Sequence, residues 1–497
     1  MTVLSMVSNN FAIVRMNSTS TGGGISSSSS GSDDVRLYDS QYQPEPRWAK
    51  FPDGSRFWKT SHGKVQRPIF VAATRQHVGK TTCSLAIVSG LKKRFDKVGF
   101  IKPVGQQHVE VVSENKKCTI RVDKDVCLMR EHFQLNHIDY EDMSPVIIPS
   151  GYTKKFVDGE ITLNSQIEDV EVAMRNVASS SDVVVLEGTG HCAVGSIVGM
   201  NNAKVASLLG ADMVLISNGG LGSAFDELEL NRVLCQHYNV RIAGVILNKV
   251  RPDKFEQTEH YMRKAMLQAW GVPLLACIPD QPYLGCPALA DMENLFQTKL
   301  ISGEDHRFRH YTVSDINVVT TSLTRFLENL REKPSRTLYL CHVTRDDLIV
   351  GFLGDVQRRR EMHDQPSEAA LIICGRKGKY QLSTEGTYFS FNILYLSSLI
   401  FLSHAFVSSF MTIVSDMLNS LHDAPVMVVG YSTYDTMSRI HDYTPKLNIQ
   451  DTSRVTAAID HYEPYIDFDE LTRRTQAGNS SFNDPGSISL FDLARKL

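Results

Sequence analysis

At 497 residues the chain is long enough for two or three domains of about 100 to 200 residues, each with its own core. Its balance of 42% hydrophobic and 22% charged residues is that of an ordinary soluble protein, and a formal net charge of −3 leaves no basic field for nucleic acid or anionic lipid. Nine cysteines, an odd number with no Cys-x-x-Cys pair, argue against a disulfide framework or a zinc cluster and for reduced thiols inside a cell.

Residues 1–66 read as a low-complexity extension. The Ser/Gly/Thr-rich tract 18–32 cannot bury enough apolar surface to offset the entropy of ordering. The residues before it lack acids and a continuous apolar core, so no secretory signal is expected. A cytoplasmic location is the first expectation, with an organelle, mitochondrion or plastid, as the alternative. The aromatic-rich residues 38–58 read as an arm able to dock on the first domain.

From 67 to about 280, short apolar runs alternate with helix-length segments, the pattern of βαβ units around a parallel sheet. Strands are predicted at 69–73, 98–102, 183–186, 213–217, 242–247 and 274–278. Helices are predicted near 80–94, 123–133, 165–179, 223–238 and 254–269. The fold class is therefore α/β, a parallel-sheet domain whose ligands belong outside the carboxyl ends of the strands, followed by a second, smaller α/β domain. The first domain is bounded at 67–332, and the linker Glu332-Lys333-Pro334-Ser335 opens the second at 335–470. Its predicted strands are 337–341, 370–374, 425–430 and 446–449, with a helix near Tyr434 and a tail at 471–497. A hydrophobic insertion near 384–414 interrupts it, and within that insertion residues 389–414 contain no Asp, Glu, Lys or Arg. The run reads as an insertion or translated non-coding sequence, as a buried or surface-lying helix, or as a membrane span. A membrane location is not expected, because a span would split one small domain between two compartments.

The chemistry gathers at predicted strand ends. The run Thr74-Arg75-Gln76-His77-Val78-Gly79-Lys80-Thr81-Thr82 leads from the first strand into a helix, the plan of a phosphate-binding loop. In that plan backbone N–H groups face phosphates, Lys80 reaches the outer oxygens and the Thr81 hydroxyl holds Mg2+. The strict pattern nonetheless fails, since Thr74 stands where its first glycine belongs. Lys102 ends the second strand, Glu187-Gly188-Thr189-Gly190 follows the third, and Asp123 and Asp125 open a helix between them. Thr81 with such carboxylates and phosphate oxygens fits the octahedral demand of Mg2+. The Gly-rich turn at 218–223 is equally a substrate loop or a tight connection, and Asn248-Lys249 ends the fifth strand.

Residues 67–330 resemble the dethiobiotin synthetase family of P-loop proteins, in the version fused to long bacterial phosphotransacetylases. The motifs that carry the resemblance are Thr74 to Thr82, Lys102-Pro103-Val104, Lys124-Asp125, Glu187 to Gly190 and Asn248-Lys249. The family's loop has one extra residue, so its first glycine falls at Ala73. The resemblance implies ATP and Mg2+ as cofactors, with Lys80 neutralising phosphates. It implies Thr81, Asp125 and Glu187 as metal ligands, Lys102 on substrate and γ-phosphate, and Asn248 on adenine. The loop residues Thr74, His77, Val78, Gly79, Lys80, Thr81 and Thr82 would bind the nucleotide, and Lys80, Lys102 and Glu187 would be catalytic. Arg75 and His77 depart from the family's usual small or acidic loop residues. Arg75 stands where related dimeric ATPases carry a lysine that reaches the partner's nucleotide. Residues 335–465, through Thr344-Arg345-Asp346-Asp347 and Ile372-Ile373-Cys374-Gly375, resemble the DRTGG domain of the same phosphotransacetylases.

The expected function is ATP-dependent activation of an unknown carboxylate or carbamate by phosphoryl transfer, in a homo-oligomer, a dimer by preference. Phosphotransacetylase activity is not expected, because no acetyl-transfer domain follows. The alternatives are a catalytically silent nucleotide-sensing regulatory module and a dimeric ATPase switch.

Overall fold

Six runs rich in Val, Ile, Leu, Phe and Ala form one parallel sheet, in the spatial order Leu274–Pro279, Ile242–Val250, Asp212–Asn218, Ile69–Ala73, Val183–His191, Val98–Ile101. Every residue of Ile69–Ala73 and Val98–Ile101 is buried, as expected of strands covered on both faces. The covering helices include Lys80–Lys92, Lys124–Phe133, Leu163–Ser179, Gly222–His237 and Phe255–Trp270, close to their predicted spans. The computed structural model describes residues 58–59, 65–113, 117–332, 336–375 and 424–476, all within the compact unit Gln43–Leu497.

Strand order places the site. After Ile69–Ala73 the chain crosses to the edge at Val98–Ile101, returns to Val183–His191, then continues on the other side at Asp212–Asn218. The direction of winding reverses around the central strand, and a crevice opens at its carboxyl end. That end carries the loop at Thr74.

A second sheet of five strands follows, in the order Leu300–Ser302, Val426–Val429, Ala370–Cys374, Leu338–His342, Ile316–Val318. Four strands run parallel and Leu300–Ser302 is antiparallel. This membership moves the expected boundary at 335. Two of its strands and the helix Leu289–Phe296, whose Leu289, Met292 and Phe296 lie in its core, come earlier. The polar linker around Pro334 connects the helix Leu323–Glu332 to a strand of the same sheet.

The carboxyl-terminal end also differs. Residues 446–449 form no strand; Leu447 and Ile449, whose alternation suggested one, seat against the core of the first domain. The tail expected from 471 begins inside a helix: the helices Thr452–Tyr462 and Phe468–Thr475 insert Val455, Tyr462, Phe468 and Leu471 into that same core. The second sheet is thus an insertion between the strand Leu274–Pro279 and two helices that return to the first sheet. At the amino end, Trp58–Lys59 pairs with Val65–Gln66. Among the described residues no helix is long and apolar enough to cross a membrane. The run 389–414 and most of the extension 1–66 lie outside them.

Candidate functional site

The central strand ends in a ladder bond from Thr74 N to Ile216 O at 2.8 Å, and the backbone then turns sharply. His77 (φ 62°) and Gly79 (φ 87°) are left-handed, and Gly79 is the N-cap of the helix Lys80–Lys92. A Cβ at Gly79 would be strained there and would run into the Asn248 amide, so both conformation and space require glycine. No side chain caps this helix and its first turn carries no acid. Its free N–H groups and positive dipole end therefore face a cleft of about 760 Å³.

Beneath the loop, strand ends bring three carboxylates and two lysines together. Lys80 Nζ lies 2.6 Å from Glu187 Oε1, which also accepts from Thr81 Oγ1 at 3.0 Å. Thr81 reaches Asp125 Oδ2 at 3.5 Å. Lys102 is bonded to Asp125, sits 3.0 Å from Asp123 Oδ1, and approaches Glu187 Oε1 at 3.8 Å. Asp123 also caps its helix by accepting from Asp125 N at 3.0 Å. Burial works to lower the Lys102 ammonium, but Asp125, Glu187 and Asp123 outweigh it and hold it above the ordinary lysine value. Burial likewise works to raise Asp125, yet Lys102 and Lys80 keep it well below the usual carboxylate range. Asp123 moves upward, chiefly through burial.

The donor set fits Mg2+. Glu187 is fully buried, and its Oε2 has no hydrogen-bond partner among the described residues, an orphaned acceptor beside the Thr81 hydroxyl and Asp125. Among the described residues no three acidic, thiol or imidazole groups form a self-sufficient metal cage.

His77, Val78, Gly79, Lys80, Thr81, Thr82, Lys102 and Asp125 line the cleft, whereas Thr74, Asn248 and Glu187 do not. Thr74 Oγ1 turns to Glu227 Oε2 at 2.9 Å, the residue that also pairs with Arg75 at 3.5 Å. Asn248 is buried under the loop, donating to Val78 O at 2.7 Å and accepting from Lys249 N at 2.8 Å. It shapes the loop rather than facing the cleft. Glu187 lies behind Lys80. Sequence reading missed the contribution of the carboxyl-terminal segment: Thr444, Pro445, Lys446, Leu447 and Tyr462 all line the cleft. No local signal marks residues that reach a site from so far along the chain.

Residues 67–288 match the family model AAA_26, an AAA domain. The chain is 28% identical to the phosphate acetyltransferase of Nitrosomonas europaea over 292 residues, 56% of this chain and 38% of that protein. It is 27% identical to the Pseudomonas putida phosphate acetyltransferase over 288 residues, again 56% and 38%. A cobyric acid synthase of Clostridium perfringens is 27% identical over 233 residues, 43% of this chain and 46% of that one. The chain thus spans less than half the length of these relatives. The MinD cell division protein of Aquifex aeolicus overlays 44% of the chain at 16% identity with a TM-score of 0.26, too low to carry weight. Strand order, loop and sequence matches agree on a P-loop NTPase-like domain at residues 67–288, similar to the AAA_26 model and related to parts of phosphate acetyltransferases and cobyric acid synthase.

Proposed function

We propose that the protein binds ATP with Mg2+ and activates a carboxylate or carbamate by phosphoryl transfer, as a dethiobiotin synthetase-like enzyme. The observation that carries this reading is the buried convergence of Lys80, Thr81, Lys102, Asp125 and Glu187 below an uncapped helix N-terminus. Phosphates received by the loop N–H groups would draw Lys80 away from Glu187. Thr81, Asp125 and Glu187 are the residues that would hold Mg2+, which when bound neutralises charge on the transferred group. Lys102, held protonated by its carboxylates, would orient the attacking oxygen and stabilise the transferred phosphoryl oxygens. No protein nucleophile is needed.

The second sheet, with Thr344-Arg345-Asp346-Asp347 at the carboxyl end of Leu338–His342, is inferred to be a DRTGG-type regulatory domain. A silent nucleotide sensor is the second reading, favoured by Tyr462, which the returning helix brings to the loop beside Gly79. Two measurements decide. Calorimetry should show ATP·Mg2+ binding to the wild type and a loss of about tenfold or more in Lys80→Ala; equal affinities would refute the nucleotide site. Incubation with ATP, Mg2+ and a metabolite pool should yield a phosphorylated or ligated product, and binding without any turnover would favour the sensor.

A further inference from the structure

The phosphate loop is held from behind. Lys249 Nζ donates to His77 O at 2.9 Å, and Asn248 Nδ2 donates to Val78 O at 2.7 Å. In a trans peptide the N–H points away from its C=O, so carbonyls held on the strand side aim the N–H groups of Val78 and Gly79 the other way, toward the cleft. Asn248 Nδ2 carries a second N–H. The Tyr462 hydroxyl stands close by: a Cβ on Gly79 would lie 2.4 Å from that nitrogen and 3.7 Å from the hydroxyl oxygen. Burial pushes the Tyr462 phenol above its ordinary value, and Asn248 works against this as a hydrogen-bonding neighbour. Tyr462 is itself fixed in place. Its helix, Thr452–Tyr462, packs on the loop helix Lys80–Lys92, and the next residue, Glu463, accepts from Ser89 Oγ at 2.7 Å and pairs with Lys93. Near the other end of that helix Arg454 bonds Cys286 O and Asp291, where the chain leaves for the inserted sheet.

We propose that Tyr462 is a positioning residue for polyphosphate: its hydroxyl accepts the second N–H of Asn248, and so fixes the amide that holds Val78 O and the left-handed turn at Gly79. Tyr462 borders the cleft but is only 4% exposed, and it acts through Asn248 rather than on the ligand. The assignment deepens the nucleotide reading above and rests on it. The loop is then shaped by a residue that follows the inserted sheet in the chain, so affinity for phosphate depends on how the segment returning from that sheet is seated.

The wild type is first titrated by calorimetry with a non-hydrolysable ATP analogue and Mg2+. Absence of binding overturns the nucleotide reading and the positioning role together; binding leaves the role to be judged alone. Tyr462→Phe keeps the ring in the core and removes the hydroxyl. It should weaken the analogue and inorganic tripolyphosphate alike, by about fivefold, and leave adenosine unchanged. A merely structural hydroxyl would lower the melting temperature without changing the affinity of the folded protein. In an Asn248→Ala background the same substitution should weaken the analogue no further. Unchanged affinity in Tyr462→Phe, a loss shared by adenosine, or a loss that adds to that of Asn248→Ala overturns the assignment.

Discussion

In the proposed nucleotide site Glu187 is the pivotal carboxylate: one oxygen answers to Lys80, Thr81 and Lys102, while the other has no partner among the described residues. Glu187→Gln keeps the shape and removes the charge. The expected outcome is that added Mg2+ improves ATP affinity about tenfold less than in the wild type, while Mg2+-free binding persists, as read by calorimetry with and without the ion. The neighbouring charges set the response to pH. Asp125 has a depressed folded value, so its stabilisation is present above the ordinary carboxylate value near about 4 and is lost as pH falls through the folded value. Asp123, raised by burial, works the other way. Lys102 is raised, so its contribution is complete below the ordinary lysine value and is lost only at still more alkaline pH. Asp125→Asn should therefore flatten the loss of stability on acidification, measured by urea unfolding from about pH 5 down to about pH 2. A limb as steep as the wild type's would place the acid sensitivity elsewhere.

At the scale of elements, the helix Phe468–Thr475 shows what pattern reading misses. Phe468 fits against Gly90 so closely that a Cβ there would enter the ring, and Arg94 stacks over the same ring at 4.5 Å. Phe468→Ala should cost about 3 kcal/mol or more in chemical denaturation, since it empties a fully packed position of the first core. The six strands of the first sheet were legible because runs such as Val183-Val184-Val185-Leu186 are buried on both faces and need no partner information. The loop, Lys102, Asp125 and Glu187 were legible because each follows such a strand directly or opens a neighbouring helix. The role of Asn248 was not, because a strand-end amide looks alike whether it faces a ligand or, as here, the carbonyl of Val78. Residues 446–449 misled for a similar reason: alternation records which side chains turn inward, and Leu447 and Ile449 are half-buried against a domain rather than within a sheet.

For the whole molecule, the inserted sheet hangs on two crossings, near 286–291 and 442–451, and one side chain ties them together. Arg454, almost wholly buried, donates to Cys286 O at 2.7 Å and pairs with Asp291 at 3.0 Å and Asp451 at 3.2 Å. His310 completes the joint 2.8 Å from Asp451, with Tyr283 on its other nitrogen at 3.1 Å. Burial works to raise Asp451, but His310 and Arg454 hold it below the ordinary value, so the joint is strongest above that value and weakens on acidification. The same crossings carry Lys446 and Tyr462 to the cleft, which makes the joint the route by which the second sheet can bear on the first. Arg454→Met should cost about 3 to 5 kcal/mol, because two buried carboxylates lose their cation. If the joint couples the sheets, urea unfolding followed by hydrogen exchange should change from one transition to two, the inserted sheet opening first. Replacing Asp291 and Asp451 by Asn in the Arg454→Met background should recover part of the loss by removing the uncompensated charges. A single transition in every variant would mean that the cores communicate by packing alone, and that Lys446 is held in place without the buried arginine.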